Sequence, residues 1–171
     1  MKLLTNDQSK RLDDIAINKF KITSSTLMEN AGHCVSTEAI SLLKGISDPT
    51  IFIICGKGNN GGDGFVTALI LYDKGYQINL HSMAKGINLK GDSLKFYNKC
   101  KQLKIPMTFG MKLPQQNYPN LIIDGILGTG IKGDIKKEIL SWIKWINKSG
   151  SKILSIDIPT GLNGNNGNVV S

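Results

Sequence analysis

The stretch Cys55-Gly56-Lys57-Gly58-Asn59-Asn60-Gly61-Gly62-Asp63-Gly64 is the part of the sequence that most clearly indicates a fold. It follows the continuous apolar run Thr50–Cys55, which is typical of a strand buried on both faces of a parallel sheet. A helical pattern over Phe65–Lys74 comes next. Glycines let the backbone turn tightly and approach a ligand, and the amides at a helix start favour an anion. The stretch therefore predicts a strand-to-helix junction with an anion site large enough for a dinucleotide.

Strands and helices are predicted to alternate outward from this junction. The capping-box pattern Thr5–Gln8 opens a first helix, and a second helix is predicted over Ser25–Lys44. Further strands are predicted at Gln77–Met83, Ile105–Phe109, Leu121–Asp124 and Ile153–Asp157, with helices at Leu89–Leu103 and Ile135–Asn147. This alternation is typical of an α/β, Rossmann-like three-layer sandwich with a mostly parallel sheet.

A single domain over residues 1–171 is predicted, with N-terminal helices in 1–45 and the Rossmann-like core in 50–171. The Gly/Asn-rich stretch Asn163–Asn168 is followed by no further strand pattern. We therefore expect the core to be incomplete at its C-terminus.

The composition is basic. The chain carries 21 Lys and Arg residues against 13 Asp and Glu residues, for a net charge of +8. This balance suits a phosphorylated ligand, a nucleic acid or an anionic surface, although a Lys-rich solvated surface is the more common reason for such a charge. The basic residues are scattered and not interleaved with aromatics, so nucleic-acid binding is not expected. No signal peptide or membrane-spanning run is seen, so no membrane partner is expected.

The three cysteines form no CxxC pair, which predicts reduced thiols and a cytoplasmic location. Cys34 and Cys55 are interpreted as core residues rather than nucleophiles. His33 and His81 lie apart from any metal-like spacing and are interpreted as structural.

The glycine-rich stretch contains G-x-G-x-x-G at Gly56, Gly58 and Gly61, which alone is a weak signal of dinucleotide binding. A nicotinamide-dependent dehydrogenase also needs an acidic residue that closes the second strand. The run Gln77–His81 has none, so this class is disfavoured. A P-loop is excluded because its GxxxxGK[ST] pattern is missing.

Two more loops are predicted to lie beside the glycine-rich stretch. Asp124 ends a predicted strand and leads into Gly128-Thr129-Gly130, and Asp157 ends another and leads into Pro159-Thr160-Gly161. A single Asp after a strand is often only a turn residue. Ligands of open α/β sheets, however, bind beyond the carboxyl ends of the strands, where all three loops would meet.

The polar side chains of these loops suggest a cation site and a general base. Asn60, Asp124 and Thr160 offer an amide oxygen, a carboxylate and a hydroxyl, which suit a hard cation rather than zinc or copper. Asp157 remains as the candidate general base.

Together with Met28-Glu29-Asn30-Ala31-Gly32 on the second helix, these motifs resemble the NAD(P)H-hydrate epimerase family. That family forms the N-terminal domain of bifunctional repair proteins, and the resemblance covers nearly the whole chain. It implies an isomerase that interconverts the R and S forms of hydrated NADH and NADPH, called NADHX and NADPHX, in nicotinamide nucleotide repair. The preference between the two is left open.

The resemblance also implies roles for individual residues. Asp157 would contact the hydrated ring and act in catalysis. Potassium would be the cofactor, ligated by Asn60, Asp124 and Thr160, the last standing where the family usually has Ser. The substrate would contact the following residues: Asn59, Asn60, Gly61, Gly62, Asp63, Gly128, Thr129, Gly130, Ile131, Lys132, Gly133, Asp134 and Asp157.

An ADP- or ATP-dependent NAD(P)HX dehydratase is the partner implied by the resemblance, and a homodimer is left open. A non-catalytic scaffold of the same fold that binds RNA or protein is the alternative, because relatives serve as scaffolds in RNA decapping or as secreted lipoprotein-binding proteins. The basic balance is compatible with an RNA role. The intact glycine-rich stretch and both aspartates favour the enzyme, since a scaffold would not need them.

Overall fold

A five-stranded parallel sheet forms the centre of the computed structural model, which describes residues 4–115, 118–130 and 135–169. Its spatial order is β3-β2-β1-β4-β5. The order reverses direction between β1 and β4, which makes the carboxyl ends of these two strands the expected ligand-binding crevice. The predicted α/β class with a parallel sheet is confirmed. The strands are β1 Thr50–Cys55, β2 Gln77–Ser82, β3 Met107–Phe109, β4 Leu121–Gly125 and β5 Lys152–Ser155.

Five α-helices and one short 3-10 helix surround the sheet within the described ranges. The first begins with the predicted capping box, because Thr5 Oγ1 accepts the Gln8 amide (3.3 Å) and Gln8 Oε1 accepts the Thr5 amide (2.9 Å). The helices are α1 Asn6–Asn18, α2 Ser24–Leu43, α3 Asn59–Asp73, the 3-10 turn Gly86–Asn88, α4 Gly91–Gln102 and α5 Lys137–Lys148.

The core is divided between the two faces of the sheet, as a three-layer sandwich requires. On one face, alternate residues of β1 pack with the buried side of α3, behind which α2 and α4 lie. On the other face, Phe52 and Ile54 of β1 pack with Ile122 of β4 and with Trp142 and Ile146 of α5. β1 is thus buried on both faces, as its continuous apolar sequence predicted.

Two predictions about local structure are wrong. Helix α3 begins at Asn59 rather than Phe65, so the part of the glycine-rich stretch from Asn59 to Gly64 is helical. Cys34 is exposed because it lies on the outer side of α2, whereas Cys55 is buried as predicted. His81 is structural as interpreted, since its ring nitrogens lie 2.8 Å from Thr108 Oγ1 and 2.8 Å from the Gly110 carbonyl.

The stretch Asn163–Asn168 forms a hydrogen-bonded loop that folds back on itself. The Asn163 amide donates to the Asn168 carbonyl (2.9 Å), the Gly167 amide donates to the Asn163 carbonyl (2.8 Å), and Leu162 bridges Val169. We call residues 162–169 the tail loop. Among the helices of the described ranges, none combines the length and apolar character that crossing a bilayer requires.

Candidate active site

The first turn of α3 presents free backbone amides at the carboxyl end of β1. Gly58 is the N-cap, and the Gly62 amide is already bonded to its carbonyl (3.1 Å). The amides of Asn59, Asn60 and Gly61 precede this bond and so have no partner within the helix. Free amides and the positive end of the helix dipole together make a favourable position for a phosphate group.

The loop after β4 packs directly against this turn. Cys55 and Gly125 are register partners, and the Gly56 amide donates to the Gly125 carbonyl (2.9 Å). A Cβ added at Gly125 would lie 3.1 Å from the Asn60 carbonyl. The switch point between β1 and β4 therefore brings the glycine-rich stretch and the 125–130 loop together, as the sequence predicted.

Asp157 lies at the same rim, beyond β5. Its Oδ2 accepts the Thr129 amide (2.7 Å) and the Thr129 hydroxyl (2.8 Å), while its side chain remains exposed. A Cβ added at Gly128 would lie 2.5 Å from Asp157 Oδ2 and 3.3 Å from Asn60 Cγ. Asp157 and Asn60 are thus neighbours across Gly128, and a side chain at this position would displace the Asp157 carboxyl group.

Asp124 and Thr160 form a buried pair beneath this rim. Thr160 donates its hydroxyl to Asp124 Oδ1 (2.7 Å) and its amide to Oδ2 (2.9 Å), and the Ile126 amide donates to Oδ1 (3.1 Å). Burial raises the pKa of Asp124, and the hydrogen bonds from Thr160 and Ile126 oppose this increase. The pair ties the loop after β5 to the end of β4.

Asn60 carries polar atoms that lack a partner. Its Oδ1 and Nδ2 are both buried and make no hydrogen bond with any of the described residues. A buried amide without partners is costly, so such a group indicates a missing ligand, ion or water. Asp124 Oδ2 accepts only one hydrogen bond from the described residues, and Thr160 Oγ1 accepts the Leu127 amide (3.1 Å), which leaves each an oxygen lone pair. This donor set fits a hard cation.

Asp63 is a second carboxyl group near Asp157. It lies in the first turns of α3, and its pKa is raised from 3.8 to about 7, mainly by burial and further by the charges of Asp157 and Asp13. A carboxyl group that is partly protonated near neutral pH can donate a hydrogen bond or a proton in acid–base catalysis.

These features place the chain in a family of known proteins. The model for the family described as "YjeF-related protein N-terminus" matches residues 24–171. The chain belongs to this family. Its relatives include the NAD(P)H-hydrate epimerase of Lentilactobacillus buchneri (strain NRRL B-30929), which is 34% identical over 167 residues covering 98% of this chain and 76% of that protein.

The YjeF-related family also includes longer proteins. The bifunctional NAD(P)H-hydrate repair enzyme Nnr of Dictyoglomus turgidum (strain DSM 6724 / Z-1310) is 34% identical over 172 residues, which are 99% of this chain but 33% of that protein. Among solved structures, the crystal structure of yeast ynu0, YNL200c, matches with a TM-score of 0.82 at 24% identity, covering 95% of this chain and 72% of that one. That likeness confirms the fold.

Most of the site predicted for this YjeF-related domain is brought together. Asn60, Gly128, Thr129 and Asp157 meet at one rim, with Asp124 and Thr160 bonded below and Asp63 nearby. Asn59 and Gly130 are exposed at its edge. The predicted substrate residues Ile131, Lys132, Gly133 and Asp134 lie outside the described residues.

Sequence reasoning missed one residue at this rim. Asn6, at the start of α1, donates from Nδ2 to the Thr129 carbonyl (3.0 Å). Its position at the beginning of a well-capped helix gives no local signal of a contact 123 residues away.

Proposed function

We propose that this chain is an isomerase that interconverts the R and S forms of NADHX and NADPHX in nicotinamide nucleotide repair. The observation that carries this proposal is the exposed Asp157 carboxylate, held by Thr129 beside Gly128 and Asn60. The names of the relatives, NAD(P)H-hydrate epimerase and bifunctional NAD(P)H-hydrate repair enzyme, point to the same reaction.

We assign the proton transfers of this reaction to Asp157. The substrate carries a hydroxyl on the ring carbon beside nitrogen, and its inversion requires that carbon to become planar. Loss of hydroxide and ring opening both reach planarity and both need proton transfer. Thr129 occupies Asp157 Oδ2, while Oδ1 accepts no hydrogen bond from the described residues. Oδ1 is therefore the oxygen free to face the substrate.

The first turn of α3 would bind the dinucleotide backbone of the substrate. Its unpaired amides suit the pyrophosphate, and the neighbouring glycines allow close approach of the backbone. Asp63, whose pKa of about 7 keeps it partly protonated at neutral pH, would supply a hydrogen-bond donor near Asp157.

Potassium is the proposed cofactor, held by Asn60, Asp124 and Thr160. The buried and unpartnered Asn60 Oδ1 supports this assignment. When bound, the ion would neutralise Asp124 and brace the loops after β1, β4 and β5, without redox chemistry. The substrate contacts of the 128–134 loop remain part of the proposal.

The biological context is proposed from the relatives. Because curated relatives are bifunctional repair enzymes, we propose that this chain works with an NAD(P)HX dehydratase that uses ADP or ATP. A cytoplasmic location and a homodimer remain predictions; the unpaired state of Cys34, Cys55 and Cys100 is compatible with the first.

The decisive experiment is Asp157→Asn in an assay coupled to a separate dehydratase that accepts one epimer. We expect epimer interconversion to fall by about 10²–10⁴-fold, the usual contribution of a positioned acid–base group. Asp48→Asn is the control, because Asp48 is exposed beyond the opposite end of β1. Unchanged turnover in Asp157→Asn would remove this residue from the mechanism, and an inactive wild type would refute the function.

The potassium site is tested by the melting temperature in potassium and in choline buffers of equal ionic strength. A ligand that binds only the folded state raises the melting temperature, so potassium should stabilise the wild type. Asn60→Ala should abolish the increase, whereas Asn59→Ala, at the exposed neighbouring position, should retain it. An equal response of both variants to potassium would exclude Asn60 as a ligand.

A further inference from the structure

Helix α1 contacts the active-site rim although it is poorly packed elsewhere. Among its described residues none is buried, and Leu12 is 52% exposed. Its first residue, Asn6, is the exception to this loose attachment. Asn6 Nδ2 donates to the Thr129 carbonyl (3.0 Å), and the Asn6 backbone amide donates to Asn165 Oδ1 of the tail loop (3.0 Å).

Thr129 connects Asn6 to the proposed catalytic residue Asp157 through hydrogen bonds. It donates both its amide (2.7 Å) and its hydroxyl (2.8 Å) to Asp157 Oδ2. A Cβ added at Gly130, which follows Thr129, would lie within 4 Å of none of the described atoms, so the backbone on that side of Thr129 has little packing to hold it. The Asn6 contact adds a hydrogen bond to this segment, and we expect the Thr129 donors to point at Asp157 for less of the time when it is lost.

The tail loop also contacts Asn6 and lies close to Thr129. A Cβ at Gly164 would collide with Asn6 Oδ1 and would lie 3.2 Å from Thr129 Cγ2. The start of α1, the loop after β4 and the tail loop therefore meet at Asn6, and a side chain at Gly164 would displace the Asn6 side chain.

Capping of α1 does not require the Asn6 side chain. Thr5 and Gln8 already form a complete capping box, which satisfies the backbone at the helix start. The side-chain amide of Asn6 is thus available for the contact with the Thr129 carbonyl.

We propose that Asn6 is a positioning residue that acts through Thr129 to orient Asp157. This inference rests on the proposed epimerase function. Asn6 does not touch the substrate in this scheme. It fixes the Thr129 carbonyl, which keeps the Thr129 amide and hydroxyl directed at Asp157 Oδ2 and so leaves Oδ1 facing the ring.

The first test needs no activity and measures amide hydrogen exchange of Thr129 by NMR in the full chain. Asn6→Ala and Asn6→Asp both remove the Nδ2 donor, and we expect the Thr129 amide to exchange about three- to tenfold faster in each. Asn6→Asp separates this effect from loss of the helix, because an acidic residue in the first turn favours α1. Asn18→Ala, at the exposed far end of α1, should leave the exchange unchanged.

The second test uses the epimerase assay in two backgrounds. In the wild-type background, Asn6→Ala and Asn6→Asp should lower kcat about three- to tenfold with little change in KM. In the Asp157→Asn background they should cause no further loss, because coupled residues are non-additive.

The outcomes separate the inference from the function on which it rests. An inactive wild type refutes the epimerase, yet Thr129 exchange still decides whether Asn6 orders this loop. The inference is overturned if exchange is unchanged in both Asn6 variants, if kcat of an active enzyme is unaffected, or if the loss is equally large beside Asp157→Asn.

Discussion

At the scale of single residues, the carboxyl group of Asp63 is the most unusual feature. Burial in the first turns of α3 and the nearby charges of Asp157 and Asp13 raise its pKa to about 7. In the unfolded chain the pKa returns to about 3.8. Because the folded state then binds the proton more tightly, raising the pH from about 4 to about 7 lowers the free energy of unfolding.

Asp63→Asn should remove this pH-dependent penalty. Each unit of pKa difference corresponds to about 1.4 kcal/mol. The free energy of unfolding of the variant, measured relative to wild type, should therefore be on the order of 2–4 kcal/mol higher above pH 7 than at pH 4. Urea denaturation at several pH values measures the effect, with Asp73→Asn on the exposed end of α3 as the control. A stability difference between Asp63→Asn and wild type that does not vary with pH would contradict the raised pKa.

At the scale of elements, the start of α3 shows where sequence patterns stop being informative. The bounds of β1 and the existence of the five α-helices follow from apolar periodicity and capping residues, as Thr50–Cys55 and Thr5 show, whereas the sequence did not predict the 3-10 turn Gly86–Asn88. The pattern placed the start of α3 at Phe65 because glycines disfavour helices. Gly61 is nevertheless helical, and the lack of a Cβ lets this turn lie close to Gly56, whose backbone carbonyl a Cβ at Gly61 would meet.

Gly61→Ala should therefore destabilise the protein, although alanine is normally the better helix former. An ordinary helical Gly→Ala change stabilises by about 0.4–1 kcal/mol. Here overpacking against backbone should reverse the sign and cost roughly 1–3 kcal/mol. Gly58→Ala is the matched control, because a Cβ at the N-cap meets none of the described atoms within 4 Å. Guanidinium denaturation compares the two, and equal stability of both variants would show that the turn can relax around Gly61.

At the scale of the whole molecule, the sequence predicted that three loops converge. It did not predict the long-range contact that holds one of them or the exposure of the edge strand. Parallel strands place their carboxyl ends at one edge, so Asp124 and Asp157 had to follow the glycine-rich stretch to the same rim. The contact from Asn6 joins segments 123 residues apart, which periodicity cannot report. The exposure of β5 was also hidden, because its apolar run resembles those of the buried strands while burial depends on what packs over them.

Substitutions of Ile122 and Ile153 test the difference in burial between β4 and β5. The two residues are of the same type and are register partners on these adjacent strands. Ile122 is 0% exposed, whereas Ile153 is 42% exposed at the sheet edge. Ile122→Ala should cost about 2–5 kcal/mol through lost burial and the cavity left behind. Ile153→Ala should cost clearly less, about 1–2 kcal/mol, since nearly half of its surface already meets solvent and only the covered part loses burial. If urea denaturation gave both variants the same large loss, β5 would have to be covered in solution by polypeptide that packs on Ile153, and the sheet edge would be part of the core.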